Sequence, residues 1–307
     1  MKLVFLGTSA AAPTVERNLS SVALEFGGEW LLFDCPEGTQ RQMMASGVSF
    51  MKVEKIFLSH FHLDHILGLP GLLATMHMLE RKTPLHIYGP RRIQERIKYL
   101  LGLTPRELSF EIVCHENRKG VIAREKTFVV KAFLLKHDVA CWGYRFEEAD
   151  KKGEFQREWA QALAIPEGPL WRRLQTGKSV KVNGQSFKPA QVMDYSKGRK
   201  GRVVCVVSDT MAHPSYLAGI RNADVLVHEC TFGADQAERA RETKHAVSTE
   251  VAALAKKAKV KQLALFHFSS RYRDLSALQD EARLGFENSS CATDGLEIPV
   301  PVRQPTP

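Results

Sequence analysis

The chain has 307 residues, of which 44% are hydrophobic, 25% charged and 8% aromatic, the make-up of a folded protein able to bury a full core. That composition excludes general disorder and a fibrous or collagen-like repeat, and no apolar run approaches the roughly 18 residues a membrane-spanning helix needs. Lys and Arg number 43 against 34 Asp and Glu, and the net charge of +9 favours an acidic partner such as nucleic acid while saying nothing about fold.

The apolar run at 3–6 reads as a first strand, because Gly7, Thr8 and Ser9 end it before the core of a signal peptide is complete. Strands follow at 21–26, where polar and apolar residues alternate, and at 30–34 after a Gly27-Gly28 turn. A helix at 37–44 precedes a short buried strand at 55–58, which ends at Ser59-His60. Then come a helix at 67–81, a strand at 85–88, a Gly89-Pro90 break and a basic helix at 91–100. Further strands are expected at 128–135, 142–146, 203–207, 225–227 and 263–266, with an Ala- and Lys-rich helix at 248–257 between the last two. The Pro-rich end, 299–307, reads as a loose tail.

Residues 147–167 hold six acids and three bases, whereas 168–202 hold nine bases and only one acid, Asp194. Most of the excess positive charge is therefore local. More than fifty residues between two good strands, carrying Gly-Pro, Thr-Gly and Asn-Gly turns, is too long for a plain connection and marks an inserted arm at 147–202. The six cysteines stand singly, with no Cys-x-x-Cys pair, and read as reduced thiols of a cytoplasmic protein without a membrane anchor.

The chemistry concentrates in His60-Phe61-His62-Leu63-Asp64-His65, three imidazoles and a carboxylate within six residues directly after an apolar strand. Borderline dications such as Zn²⁺ take this donor set. A spacing of two places His60 and His62 on one side of an extended loop, while adjacent Asp64 and His65 point apart and can face a second ion, so two metals fit better than one. Further ligands should sit at other strand ends. His137 follows the 128–135 strand, Asp209 follows 203–207 and His267 follows 263–266. Each alone also reads as a satisfied core histidine or a helix-capping aspartate. Together they describe one site at one sheet edge. Asp34, at the end of a strand, reads either as a turn former or as a group orienting a ligand histidine, and His228 and Glu229 carry the same ambiguity.

The His-x-His-x-Asp-His cluster with a later His, Asp and His resembles the metallo-β-lactamase-type hydrolases. Within them the chain is similar to the ribonuclease Z branch, short form. The likeness runs through 5–10, Pro13 with Glu16-Arg17-Asn18, 34–40, 58–72, Ser208-Asp209-Thr210, 228–232, Lys244-His245-Ala246 and 267–272. Pro36 and Ser208 stand where glycine is common in that branch.

This resemblance implies an α/β fold, a four-layer αβ/βα sandwich spanning 1–307 as one domain, with 147–202 as a basic exosite arm. It implies two Zn²⁺ per subunit, with Mn²⁺ or Fe²⁺ as ions the same donors accept. His60, His62 and His137 would hold one, Asp64, His65 and His267 the other, and Asp209 would bridge them. The implied reaction is removal of the 3′ trailer from precursor tRNA, cut after the discriminator base by a hydroxide between the ions to leave a 3′-hydroxyl. Asp64 would accept the proton of that water and His245 would protonate the leaving group. Gly168-Pro169, in the arm, would contact RNA. Read from its position four residues beyond His267, Arg271 either reaches a substrate phosphate by bidentate hydrogen bonds or merely covers a surface. Trp171 is expected to pack inside the arm. A homodimer is implied. The competing reading is a small-substrate phosphodiesterase of the same fold, against which the remote basic arm argues.

Overall fold

The computed structural model describes residues 1–102 and 108–304. Two seven-stranded sheets dominate it. The first orders its strands Glu297–Pro299, Lys2–Gly7, Ser21–Phe26, Glu29–Phe33, Val53–Phe57, Leu85–Gly89 and Ile112–Glu116. The second runs Ser289–Cys291, Gln262–Phe266, Val225–Glu229, Val203–Val207, Trp142–Glu148, Phe128–Leu134 and Gly120–Arg124.

Successive side chains along a strand point to opposite faces, and here both faces are covered, so the strands read as nearly unbroken apolar runs. Leu3, Phe5, Val22, Leu24, Leu31, Phe33 and Phe57 of the first sheet meet Phe128, Val130, Tyr144, Phe146, Val204, Val206, Val227 and Phe266 of the second in one buried core. Their neighbours Val4, Leu6, Ala23, Leu32 and Ile56 face the other way. There they pack under helices Thr39–Ala45, Leu69–Met78 and Ile93–Leu101 through Met43, Leu72, Met76 and Ile97. Likewise Cys205, Val207, Leu226, Leu263 and Leu265 lie under Ser248–Lys257 and Ser276–Gly285. The Ser248–Lys257 helix follows from its sequence: Val251, Ala252, Leu254 and Ala255 form one apolar face, Glu250 sits in the first turn and Lys256 and Lys257 in the last. The result is helix, sheet, sheet, helix.

Topology brings the chemistry to one edge. Glu29–Phe33, Val53–Phe57 and Leu85–Gly89 run parallel to one another, as do Val203–Val207, Val225–Glu229 and Gln262–Phe266. Strands of one direction deliver their C-termini to the same side, and Asp34, His60, Asp209 and His267 all follow such strands. Trp142 N–H donates to Ser59 O at 3.0 Å and so ties the two sheets at that edge.

Several elements differ from the sequence expectations. The helix expected at 67–81 is shorter, Leu69–Met78, and a separate short helix, Leu63–Ile66, precedes it. At the break, a Cβ on Gly68 would lie 1.9 Å from Pro36 O, so the chain passes there only as glycine. Strands Ile112–Glu116 and Gly120–Arg124, half-exposed at the sheet edges, and helix Ser276–Gly285, which buries Leu278 and Ala282, are additional to the sequence expectations. The expected tail starts later than 299, since Pro299 pairs with Lys2 and Val300 N–H donates to Met1 O; its end, 305–307, lies outside the described residues.

Glu148–Arg202, with residues 302–304, forms a second compact unit. It has its own small core of Ala160, Ile165, Trp171, Leu174, Val180, Phe187 and Val192. Trp171 is buried, donates its indole N–H to Ile165 O at 2.9 Å and meets the Phe155 ring. The Val180–Val182 and Gln185–Phe187 hairpin turns through Asn183 and Gly184, both at positive φ, as a tight two-residue turn requires. Gly168, at φ 111°, leads into the Pro169–Gln175 helix. Glu148 is gripped by Arg199 and Arg202, and these hydrogen bonds outweigh the opposing effect of burial to pull its carboxyl down to about 2.

Candidate metal centre

His60 follows the Val53–Phe57 strand, His62 caps the short helix Leu63–Ile66, and Asp64 and His65 lie in that helix. Asp64 and His65 therefore do not point apart as an extended loop would have them. One helical step separates them by about 100°, so both reach the same space, with Asp64 Oδ2 3.5 Å from His65 Nε2. His137 comes from the turn after Phe128–Leu134, Asp209 from the end of Val203–Val207 and His267 from the end of Gln262–Phe266.

These side chains converge in two groups. One nitrogen or oxygen from each of His60, His62, His137 and Asp209 lies within 4.8 Å of the others, and the same holds for Asp64, His65 and His267. Asp209 faces both. Its Oδ2 is 3.7 Å from His60 Nε2 and 3.8 Å from His137 Nε2, while its Oδ1 is 3.3 Å from His65 Nε2 and 3.1 Å from His267 Nε2. His245 joins Asp209 and His267 in a third such group.

The donor set fits metal ions. The Nε2 atoms of His60, His65, His137 and His267 are all buried without a hydrogen-bond partner. A buried polar atom left unpaired costs about 1–3 kcal/mol, and four of them aimed at one carboxylate form the lone-pair lining that a cation satisfies. The opposite ring nitrogens are all held. His60 Nδ1 meets Ser59 Oγ at 2.9 Å, His65 Nδ1 meets Asp34 Oδ2 at 2.9 Å, His137 Nδ1 meets Lys244 O at 3.2 Å and His267 Nδ1 meets Thr231 Oγ1 at 3.0 Å. Such outer contacts set ring orientation and keep Nε2 toward a metal. Asp34 and His267 both adopt the left-handed backbone region, φ 57° and 62°, a conformation that costs non-glycine residues energy and concentrates at functional sites.

The electrostatics agree. Burial opposes the Asp209 charge, yet facing His267, His65 and His60 outweigh it and hold the carboxyl far below its usual range. Burial, reinforced by neighbouring His65, pushes His60 down, and burial also pushes His267 down, so both favour the neutral form that binds metal. His65 goes the other way, because Asp209 and Asp34 overcome its burial. His245 is half-buried beside Glu229, and the carboxylate overcomes the effect of burial to raise the imidazole to about 9, with Nδ1 2.9 Å from Glu229 Oε1.

Sequence reasoning singled out Asp34 and Glu229 without settling them, and the structure makes both hydrogen-bond anchors of the site. It did not single out Ser59, Thr231 or Asp138, whose Oδ1 lies 3.0 Å from His137 Nε2. Their signal was adjacency alone, one or two residues from a ligand or anchor. Arg271 is engaged locally: it donates to Ser269 Oγ and Gln236 Oε1 and sits over the Phe232 ring. Gly168 and Pro169 belong to the second unit. Among the described residues no helix is long and apolar enough to cross a membrane.

Two helix-clad mixed sheets with a His/Asp cluster across their shared edge define a metallo-β-lactamase-fold protein. A metallo-β-lactamase-fold protein of Bacillus subtilis superposes with a TM-score of 0.69 over 97% of this chain and 98% of that one at 19% identity, which speaks for the fold alone. The relationship is closer to proteins named ribonuclease Z. That of Methanosarcina mazei is 42% identical over 99% of both chains, and that of Enterococcus faecalis 40% identical over 98% of both. The short form of human tRNase Z superposes with a TM-score of 0.72 at 28% identity over 98% of this chain and 100% of that one. The chain belongs to the ribonuclease Z family. A model of the anti-Pycsar protein Apyc1 family also matches residues 1–109, about a third of the chain.

Proposed function

We propose that this chain is a zinc-dependent endoribonuclease that removes the 3′ trailer from precursor tRNA, cutting after the discriminator base and leaving a 3′-hydroxyl. The observation that carries the reading is the two-sided Asp209 carboxylate between two sets of unpartnered imidazole nitrogens. His60, His62 and His137 would hold one ion, Asp64, His65 and His267 a second, with Asp209 shared. The chemistry that zinc would supply at these residues is a lowered pKa of water, toward ~7, and an offset to charge on phosphate oxygens. Mn²⁺ and Fe²⁺ accept similar donors, so the resident ion follows availability as well as affinity.

The chain's own groups supply the proton transfers. Asp64, half-buried and with its Oδ2 accepting from Ala11 N–H at 3.2 Å, takes the proton of the attacking water. His245, kept protonated by Glu229, donates to the departing oxygen from the nitrogen not engaged by that carboxylate. The basic second unit supplies phosphate contacts, with Gly168-Pro169 meeting RNA. In the first unit Arg271 reaches a substrate phosphate. The likeness to tRNase Z favours this substrate over a small phosphodiester.

The working form in this reading is a cytoplasmic homodimer. Exposed Met44, Leu63 and Leu67 support an apolar contact surface, and the free state of all six cysteines suits a reducing compartment. The test is to incubate zinc-loaded protein, beside an Asp64→Ala control, with precursor tRNA carrying a 3′ trailer and map the new ends. A single cut after the discriminator base, lost in the control, is expected. Hydrolysis of a small phosphodiester with intact precursor would move the substrate to that class.

A further inference from the structure

Behind the metal-facing imidazoles lie two hydrogen-bond arrangements built alike from unrelated stretches of sequence. In the first, Asp34 Oδ1 accepts from Ser59 N–H at 2.7 Å, and Asp34 Oδ2 lies 2.8 Å from Ser59 Oγ, 2.9 Å from His65 Nδ1 and 3.2 Å from Ser208 Oγ. Ser59 Oγ is in turn 2.9 Å from His60 Nδ1. In the second, Glu229 Oε2 lies 2.8 Å from Thr231 Oγ1, and Glu229 Oε1 2.9 Å from His245 Nδ1. Thr231 Oγ1 is in turn 3.0 Å from His267 Nδ1 and 3.1 Å from His245 Nδ1, whose own carboxylate partner is Glu229 Oε1. Each carboxylate thus serves one histidine directly and a second through a hydroxyl. All four anchors, Asp34, Ser59, Glu229 and Thr231, are buried.

The proton count decides the direction. A hydroxyl has one hydrogen to give, whereas a carboxylate only accepts. With the Ser59 hydrogen given to Asp34, its oxygen can only accept from His60, which must carry its proton on Nδ1. With the Thr231 hydrogen given to Glu229, His267 must do the same. Both rings then turn an unprotonated Nε2 toward Asp209, the atoms found buried and unpartnered.

We infer that Ser59 and Thr231 are positioning residues, hydroxyl relays that lock His60 and His267 in the metal-binding tautomer, each at a different one of the two metal positions. Ser59 acts on the position of His60, His62 and His137. Thr231 acts on that of Asp64, His65 and His267, and also joins that position to the His245 proton donor, because both lean on Glu229. Asp34 spans the two positions, through His65 on one side and Ser59 on the other. Its loss loosens both.

This inference rests on the metal reading above, and its test is independent of RNA cleavage. Protein reconstituted with zinc is mixed with a chromogenic chelator, and the release of each ion is timed. Ser59→Ala should speed release of one ion by about tenfold or more and leave the other at its wild-type rate. Thr231→Val, which keeps the shape and removes the hydroxyl, should speed the other, and Thr231→Ser should restore it. Two zinc ions released at wild-type rates from Ser59→Ala and Thr231→Val would overturn the relay and leave the metal reading standing. A measurement on the unmutated, metal-free chain guards against misfolded variants: ring nitrogen NMR at a pH where the imidazoles are neutral should find His60 and His267 protonated on Nδ1. Protonation on Nε2 at either ring would refute the relay at that residue, whether or not zinc binds.

Discussion

Asp209 shows how much one side chain can carry. Its two oxygens face different histidine sets, and among the described residues it is the one shared by the group of His60, His62 and His137 and the group of His245 and His267. His245 is the contrasting case. It leans on Glu229 and its exchange should affect proton transfer more than metal content. His245→Gln is expected to keep the wild-type zinc complement by elemental analysis while cleavage falls by roughly 10²–10⁴-fold, the usual contribution of a general acid. A variant that loses zinc in parallel with activity would make His245 a ligand instead. Part of this was legible from sequence, because clustered histidines and an aspartate announce metal chemistry by composition. Ser59 and Thr231 were not, since a lone hydroxyl acquires meaning only from what lies across from it.

At the level of elements, the strands were readable because both faces are buried and the residues are accordingly apolar; 203–207 and 263–266 are plain examples. Edge strands and the helix Ser276–Gly285 were not: the edge strands are short and half-exposed, and the helix buries only Leu278 and Ala282. The short helix Leu63–Ile66 escaped for another reason: four residues holding Asp64 and His65 follow tertiary constraint more than propensity. Its junction with Leu69–Met78 depends on Gly68, packed against the Pro36 carbonyl. Gly68→Ala should destabilise the fold by about 1–3 kcal/mol, as overpacking does, read as a lower urea midpoint. An unchanged midpoint would mean that the 34–37 loop yields freely.

Across the whole molecule, charge is partitioned. The Glu148–Arg202 unit carries much of the excess base yet closes on an acid, Glu148, between Arg199 and Arg202. Its carboxyl lies at about 2, below the ordinary carboxylate range near 4.5. Because the folded value is depressed, its stabilisation is complete above about pH 4.5 and fades as the pH falls through about 2. Limited proteolysis of this unit should therefore be faster in Glu148→Gln than in the parent at pH 7, with the difference shrinking toward pH 3. Equal rates at pH 7 would show that the arginine grip contributes nothing to closure.

By itself the sequence determined the donor chemistry, the apolar strands, the basic inserted stretch and the resemblance that led to the ribonuclease Z family. These depend on residue type and local order, which a linear chain displays. Only the tertiary structure decided that Asp209 faces two ways, that Asp64 and His65 share one side, and that Asp34 and Glu229 anchor histidines through neighbouring hydroxyls. Asp34 and Ser208 stand 174 positions apart, and Thr231 and His267 stand 36 apart. Hydrogen bonds depend on distances of about 3 Å and on direction, and such distances between remote residues exist only once parallel strands have brought their ends to a common edge.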